Sequence, residues 1–141
     1  MKYAARFFAM VLMMAPLLAS AQLTRGHTLS ANVPFQFRAG EKVVPAGKCV
    51  VQRAAGDIRT LSISNWTGKV SLFTTVSPHE SKESSMKNAL VFRRYGDHYF
   101  LAGIKLAGSK ILYQLPESKA EAEMRAQNLP ATEQNVLALL Q

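Results

Sequence analysis

The stretch from Asn88 to Pro116 reads NALVFRRYGDHYFLAGIKLAGSKILYQLP. Its reading decides the fold, because it holds three β-type runs broken by two short turns. Ala89–Arg94 and His98–Leu106 are predicted strands joined across Tyr95-Gly96-Asp97. Lys110–Leu115 is a third, joined across Ala107-Gly108-Ser109. Turns this short connect antiparallel neighbours, and their glycines suit the backbone angles that tight hairpins need. Tyr95, Tyr99, Phe100 and Tyr113 lie in or beside these runs, which makes the meander both a scaffold and the first place to look for a groove.

The pattern extends upstream. Leu29, Ala31, Val33, Phe35 and Phe37 alternate with Ser30, Asn32, Pro34, Gln36 and Arg38, the period of a half-buried strand. Pro34 lacks an N–H to give to a ladder, so this strand is expected at a sheet edge or bulged there. Further strands are predicted at Lys48–Arg53, Ile58–Ser64 and Lys69–Val76, with Gly47 expected in a conformation that a β-carbon disfavours. Asn65-Trp66-Thr67-Gly68 reads as a turn, and its first three residues match the N-glycosylation pattern. Ser77–Lys87, SPHESKESSMK, is rich in serine and poor in apolar residues, and is expected to be an exposed, mobile loop.

Downstream of Leu115 the pattern changes. Pro116 and the Ser118-x-x-Glu121 capping box open a predicted helix over about 117–127. Thr132 is expected to cap a second short helix, Glu133–Leu140, so that a helical segment covers about 117–140. The predicted fold is mainly β: an antiparallel sandwich or open barrel of about seven strands with a C-terminal helix.

The 141 residues set one domain as the expectation. Lys2 and Arg6, the apolar run Phe7–Leu18 and the small-x-small site Ala19-Ser20-Ala21 form a secretory signal pattern, with cleavage expected after Ala21. The apolar run falls short of the roughly 20 residues that a bilayer span needs. Residues 1–21 are therefore read as the signal peptide and 22–141 as the β-domain, periplasmic or secreted. Losing Lys2 and Arg6 leaves 15 of the 17 basic residues against 9 acidic ones, a net charge near +6. The charges are scattered, and in an exported chain nucleic acid is a poor fit; a solvated basic surface accounts for them. Cys49 is the single cysteine, which excludes an internal disulfide framework, and its apolar neighbours predict a buried, inert thiol.

The chain carries no G-x-S-x-G, H-E-x-x-H or C-x-x-C motif and no phosphate-binding loop. His27, His79 and His98 lie far apart, so neither a metal site nor a cofactor is expected. Asp97 and His98, beside Arg93 and Arg94, form the one acid–base arrangement worth weighing, because a carboxylate can orient an imidazole. Adjacent strand residues face opposite ways, which separates the two unless the turn rotates them. The same rule sends Arg93 and Arg94 to opposite faces. Arg93, Arg94, Tyr95, Tyr99 and Tyr113 are the candidate ligand-binding residues.

Phe35-x-Phe37-x-x-Gly40, Pro45-Ala46-Gly47, Leu90-Val91-Phe92-x-Arg94-Tyr95-Gly96-Asp97-x-Tyr99-Phe100-Leu101 and Leu115-Pro116-x-Ser118-x-x-Glu121 together cover most of the domain. In these the chain resembles a group of exported bacterial β-domain proteins that carry a signal peptide and a charged C-terminal segment. It departs from them at Cys49, where they tend to have tyrosine. The resemblance implies export and a β-fold, and no substrate. Three functions follow as expectations: a non-enzymatic exported domain that binds an envelope protein or a glycan, a carrier of a small apolar ligand inside a closed barrel, and a hydrolase-like enzyme using Asp97 and His98.

Overall fold

At Pro34 the chain leaves one sheet for another. The computed structural model describes residues 28–54, 57 and 59–141. The signal peptide with its cleavage site, His27 and Ile58 lie outside them. Strand β1 (Leu29–Val33) ends one residue before Pro34, and β2 (Phe37–Ala39) begins three residues after it in the second sheet. The nine alternating residues are thus two strands, and β1 is no edge: it lies between β12 and β4. Proline's missing donor is accommodated by a crossing between sheets, where no ladder bond is required.

The remaining elements in chain order are β3 (Lys42–Val44), β4 (Gly47–Arg53), β5 (Thr60–Asn65), β6 (Val70–Thr75), β7 (Ser77–Glu80), β8 (Ala89–Tyr95), β9 (His98–Lys105), β10 (Ile111–Gln114), α1 (Lys119–Ala126), β11 (Ala131–Leu137) and β12 (Leu139–Leu140). The first sheet runs β12-β1-β4-β5-β6 and the second β11-β8-β9-β10-β7. The β2–β3 hairpin joins the second sheet through one parallel bridge, Arg38 to Phe100. The fold is a two-sheet, mainly antiparallel β-domain with one helix near its C-terminus, and the sheets do not close into a barrel.

The described residues form twelve strands where about seven were expected, for identifiable reasons. The run predicted as Lys69–Val76 continues past the buried Val76 into β7, which pairs with β10. Ser77–Glu80 is therefore a strand, although all four residues are exposed. The predicted second helix is instead β11 and β12. Asn128 at φ +57° and Pro130 end α1, and the following residues pair antiparallel with β8 from Ala131 opposite Tyr95 to Leu137 opposite Ala89. A helix of only eight residues is marginal by itself, whereas pairing satisfies the backbone edge of β8. The chain then crosses sheets at the buried Ala138, so β12 lies beside β1.

Helix α1 starts as predicted. The Ser118 hydroxyl accepts the Glu121 N–H at 3.2 Å, but the Glu121 side chain does not complete the capping box; it reaches the sheet. Gly47 takes φ +137°, and a β-carbon there would lie 2.6 Å from the Thr67 hydroxyl, so that turn requires glycine.

The core fills the space between the sheets. Val33, Phe37, Val44, Cys49, Ile63, Leu90 and Phe92 are all essentially inaccessible. Phe92 receives Phe35 and Phe37 edge-on, each with ring centroids 5.1 Å away. Burial pushes the Cys49 thiol up to about 11, which keeps it protonated and unreactive, as the sequence predicts. Phe92→Ala should cost about 3–5 kcal/mol, whereas Phe73→Ala, on the solvent face of β6, should stay within about 0.5 kcal/mol. Urea denaturation of the two variants measures the contrast; equal losses would contradict this assignment of faces.

Candidate functional site

The candidate residues of the meander separate into three places. Arg93 and Tyr95, two apart on β8, project onto the outer face of the second sheet beneath α1. Arg93 grips Glu121 with two hydrogen bonds, Nε to Oε1 and Nη2 to Oε2 at 3.2 Å. The Tyr95 hydroxyl lies 3.4 Å from the same Oε1. Burial first, and then the Glu121 carboxylate, push the Tyr95 hydroxyl above its ordinary value, so it remains a donor. Glu121 is 2% exposed and is the helix's one buried residue. These groups are occupied in docking the helix.

Arg94 faces the other way, as alternation requires. Its guanidinium lies 5.4 Å from the Tyr99 ring centroid, and Tyr99 stacks on Phe35 at 3.8 Å. Tyr113 lies toward the other end of β9, where Arg53 donates to its hydroxyl at 3.3 Å and covers its ring. The two arginine–tyrosine pairs plug opposite ends of the sandwich. The five residues therefore do not converge on one groove.

Asp97 is fully exposed in the turn, with Arg94 at 4.0 Å. His98 is exposed, and among the described residues nothing hydrogen-bonds its imidazole into a base. A cavity of about 90 Å³ beside them has room for a few waters. No group of metal-ligating side chains occurs among the described residues. Asn65 of the glycosylation pattern is buried; its amide donates to the Pro45 carbonyl at 2.8 Å and accepts from Gly68 N–H at 2.8 Å. The folded chain does not present that amide for modification.

The prominent depression lies elsewhere. An open cleft of about 380 Å³ occupies the other half of the outer face that α1 partly covers. Its floor is one cross-strand row: Leu112 opposite Lys105, Lys105 opposite Ala89, and Ala89 opposite Leu137. Its wall is the 81–88 segment, which is pinned and not the loose loop predicted. Ser81 N–H donates to Lys110 O at 2.7 Å, Ser85 N–H to Ser109 O at 3.0 Å, and Gly108 N–H to Ser85 O at 2.8 Å. The Asn88 side chain holds Ala107 N–H at 2.9 Å. These bonds tie the wall to the β9–β10 turn and make the cleft preformed.

Comparison of the chain with models of known families, with curated proteins and with solved structures gives no match.

The cleft's chemistry is therefore read from its own side chains. Lys87, Lys105 and Lys110 line it against a single lining acid, Glu83. Lys105 pairs with Glu133 at 2.9 Å, while Lys87 and Lys110 have no ion-pair partner among the described residues. Met86, Ile111 and Leu137 line it as exposed apolar groups, at 92%, 39% and 59% exposure. Serine hydroxyls complete the rim. The sequence signal for this site is the Ser/Lys-rich stretch followed by Lys110-Ile111; it is legible only once the stretch is known to fold over a sheet face.

The Lys105 hydrogen bond, chiefly, holds the Glu133 carboxyl below its ordinary 4.5. A depressed acid contributes stability above its unfolded value and loses it as pH falls through the folded one. Glu133→Gln should therefore lower the melting temperature slightly at pH 7, and the difference should shrink as pH falls below 4.5 and the carboxyl protonates. Melting curves across pH 3–7 test this; a gap undiminished at pH 3 would contradict it.

Proposed function

We propose that the chain is an exported, non-enzymatic β-domain, periplasmic or secreted, that binds a partner of the envelope or extracellular space through the cleft between the 81–88 segment and strands β8–β11. The signal pattern at the N-terminus supports export. The observation that carries the binding role is the cleft itself: preformed, of a size typical for ligand sites, and lined by exposed apolar groups beside unpaired lysines. Among the described residues no helix is long and apolar enough to cross a membrane.

The carrier reading draws little support from the space between the sheets. The cavity between them, beside Tyr113 and Arg53, measures about 30 Å³, about the volume of a water. The hydrolase reading gains no support from Asp97, whose carboxylate is solvated and beside Arg94.

Capture experiments test the proposal. Immobilised protein exposed to solubilised envelope and to culture fluid should retain a component that Leu137→Asp and Lys110→Glu variants of unchanged melting temperature lose. Both positions are exposed, so the fold should tolerate the changes. Retention of nothing, or equal retention by the variants, would overturn the reading.

A further inference from the structure

We infer that the cleft takes a free single-chain amphiphile with an anionic head group, such as a medium-chain carboxylate. The inference rests on the binding role proposed for the cleft and adds the ligand's chemical class. Two halves of the lining point to it. Leu112 on β10 and the neighbouring Ala89 and Leu137 on β8 and β11 form an apolar row broken only on β9, by Lys105, whose ammonium turns aside to Glu133. An alkyl chain can lie along that line and over the stem of Lys105. Lys87 and Lys110, at the wall, carry the charge that no described acid neutralises, and Glu83 leaves the lining net positive.

A polar anion would leave Met86, Ile111 and Leu137 in water, and a neutral lipid would leave the two ammonium groups without a counter-charge. An amphiphilic anion satisfies both. The volume sets the length: at roughly 30 Å³ per water-sized group, 380 Å³ accommodates about a dozen groups. That matches a chain of about ten carbons with its head group, and is too little for a two-chain lipid. A free molecule is favoured over a bilayer because the wall is pinned and the cleft needs no opening to fill.

Calorimetric titration of the full chain with octanoate, decanoate, decyltrimethylammonium and acetate tests this below micelle concentrations, alongside co-sedimentation with anionic vesicles. Decanoate should bind one to one. Affinity should rise about fourfold per methylene from octanoate to decanoate, following the burial of each group. The decyl cation should bind at least tenfold more weakly than decanoate. Lys87→Glu with Lys110→Glu should weaken decanoate binding at least tenfold, and Leu137→Asp should abolish the dependence on chain length. Equal binding of acetate and decanoate, or of the decyl anion and cation, would overturn the inference. So would sedimentation with vesicles in the absence of decanoate binding, which would identify a membrane surface instead. If no amphiphile binds while cleft-dependent capture from envelope material persists, the ligand class falls and the binding role stands; loss of both overturns both.

Discussion

The ion pair between Arg93 and Glu121 governs how the outer face of the second sheet is used. Helix α1 has eight residues and buries one of them, a glutamate. A helix this short does not hold itself together in water, and it brings little apolar surface to the sheet. What docks it is a two-pronged carboxylate–guanidinium contact, with Tyr95 alongside and the Ser118 cap fixing the first turn. The Lys119 N–H adds a bond to Glu41 at 3.0 Å, tying the helix to the β2–β3 hairpin. Removing either charge leaves the other near or under the helix without its partner, which is why such pairs are costly to break even where they add little net stability.

That docking divides one face into two territories. The half carrying Arg93, Tyr95 and Phe100 is covered and serves structure. The half carrying Ala89, Lys105, Leu112 and Leu137 stays open, walled by the 81–88 segment. The frame beneath both halves depends on four crossings between sheets, at Pro34–Gln36, Pro45–Ala46, Val76 and Ala138. Val76 and Ala138 keep backbone bonds through the crossing, Val76 N–H to Arg59 O at 2.7 Å and Ala138 N–H to Asn88 O at 2.9 Å. Each crossing delivers a strand to the second sheet or takes one from it without breaking the core. The Ala138 crossing is also what lays β11 along the edge of β8 and brings Leu137 to the cleft floor.

Much of the fold was legible in the residues, because hairpins and caps are local. Tyr95-Gly96-Asp97, the Gly47 turn and the Ser118 cap specify themselves within a few residues. Arg93 and Arg94 had to face opposite ways, and they do. The failures are nonlocal. A strand and the start of another in a different sheet share one alternating pattern, so Leu29–Phe37 could not reveal its break except through Pro34. Residues 131–140 carry helix-compatible composition, and only the unpaired edge of β8 decides that they extend. The cleft is hidden for the same reason: Ser77–Lys87 has the composition of a free loop, and its pinning partners at 108–110 lie more than twenty residues away. The tyrosines, conversely, have the composition of pocket formers, but four arginine and aromatic contacts already occupy them.

The charge pair that holds α1 is the central constraint, because an undocked helix would uncover the half of the outer face that carries Arg93, Tyr95 and Phe100. The direct measurement is a double-mutant cycle on the unfolding free energies of wild type, Arg93→Ala, Glu121→Ala and the double variant. A coupling energy of about 2–3 kcal/mol is predicted, with the double variant losing little more than the costlier single one. Additive losses, with a coupling below about 0.5 kcal/mol, would contradict the central role given to this pair.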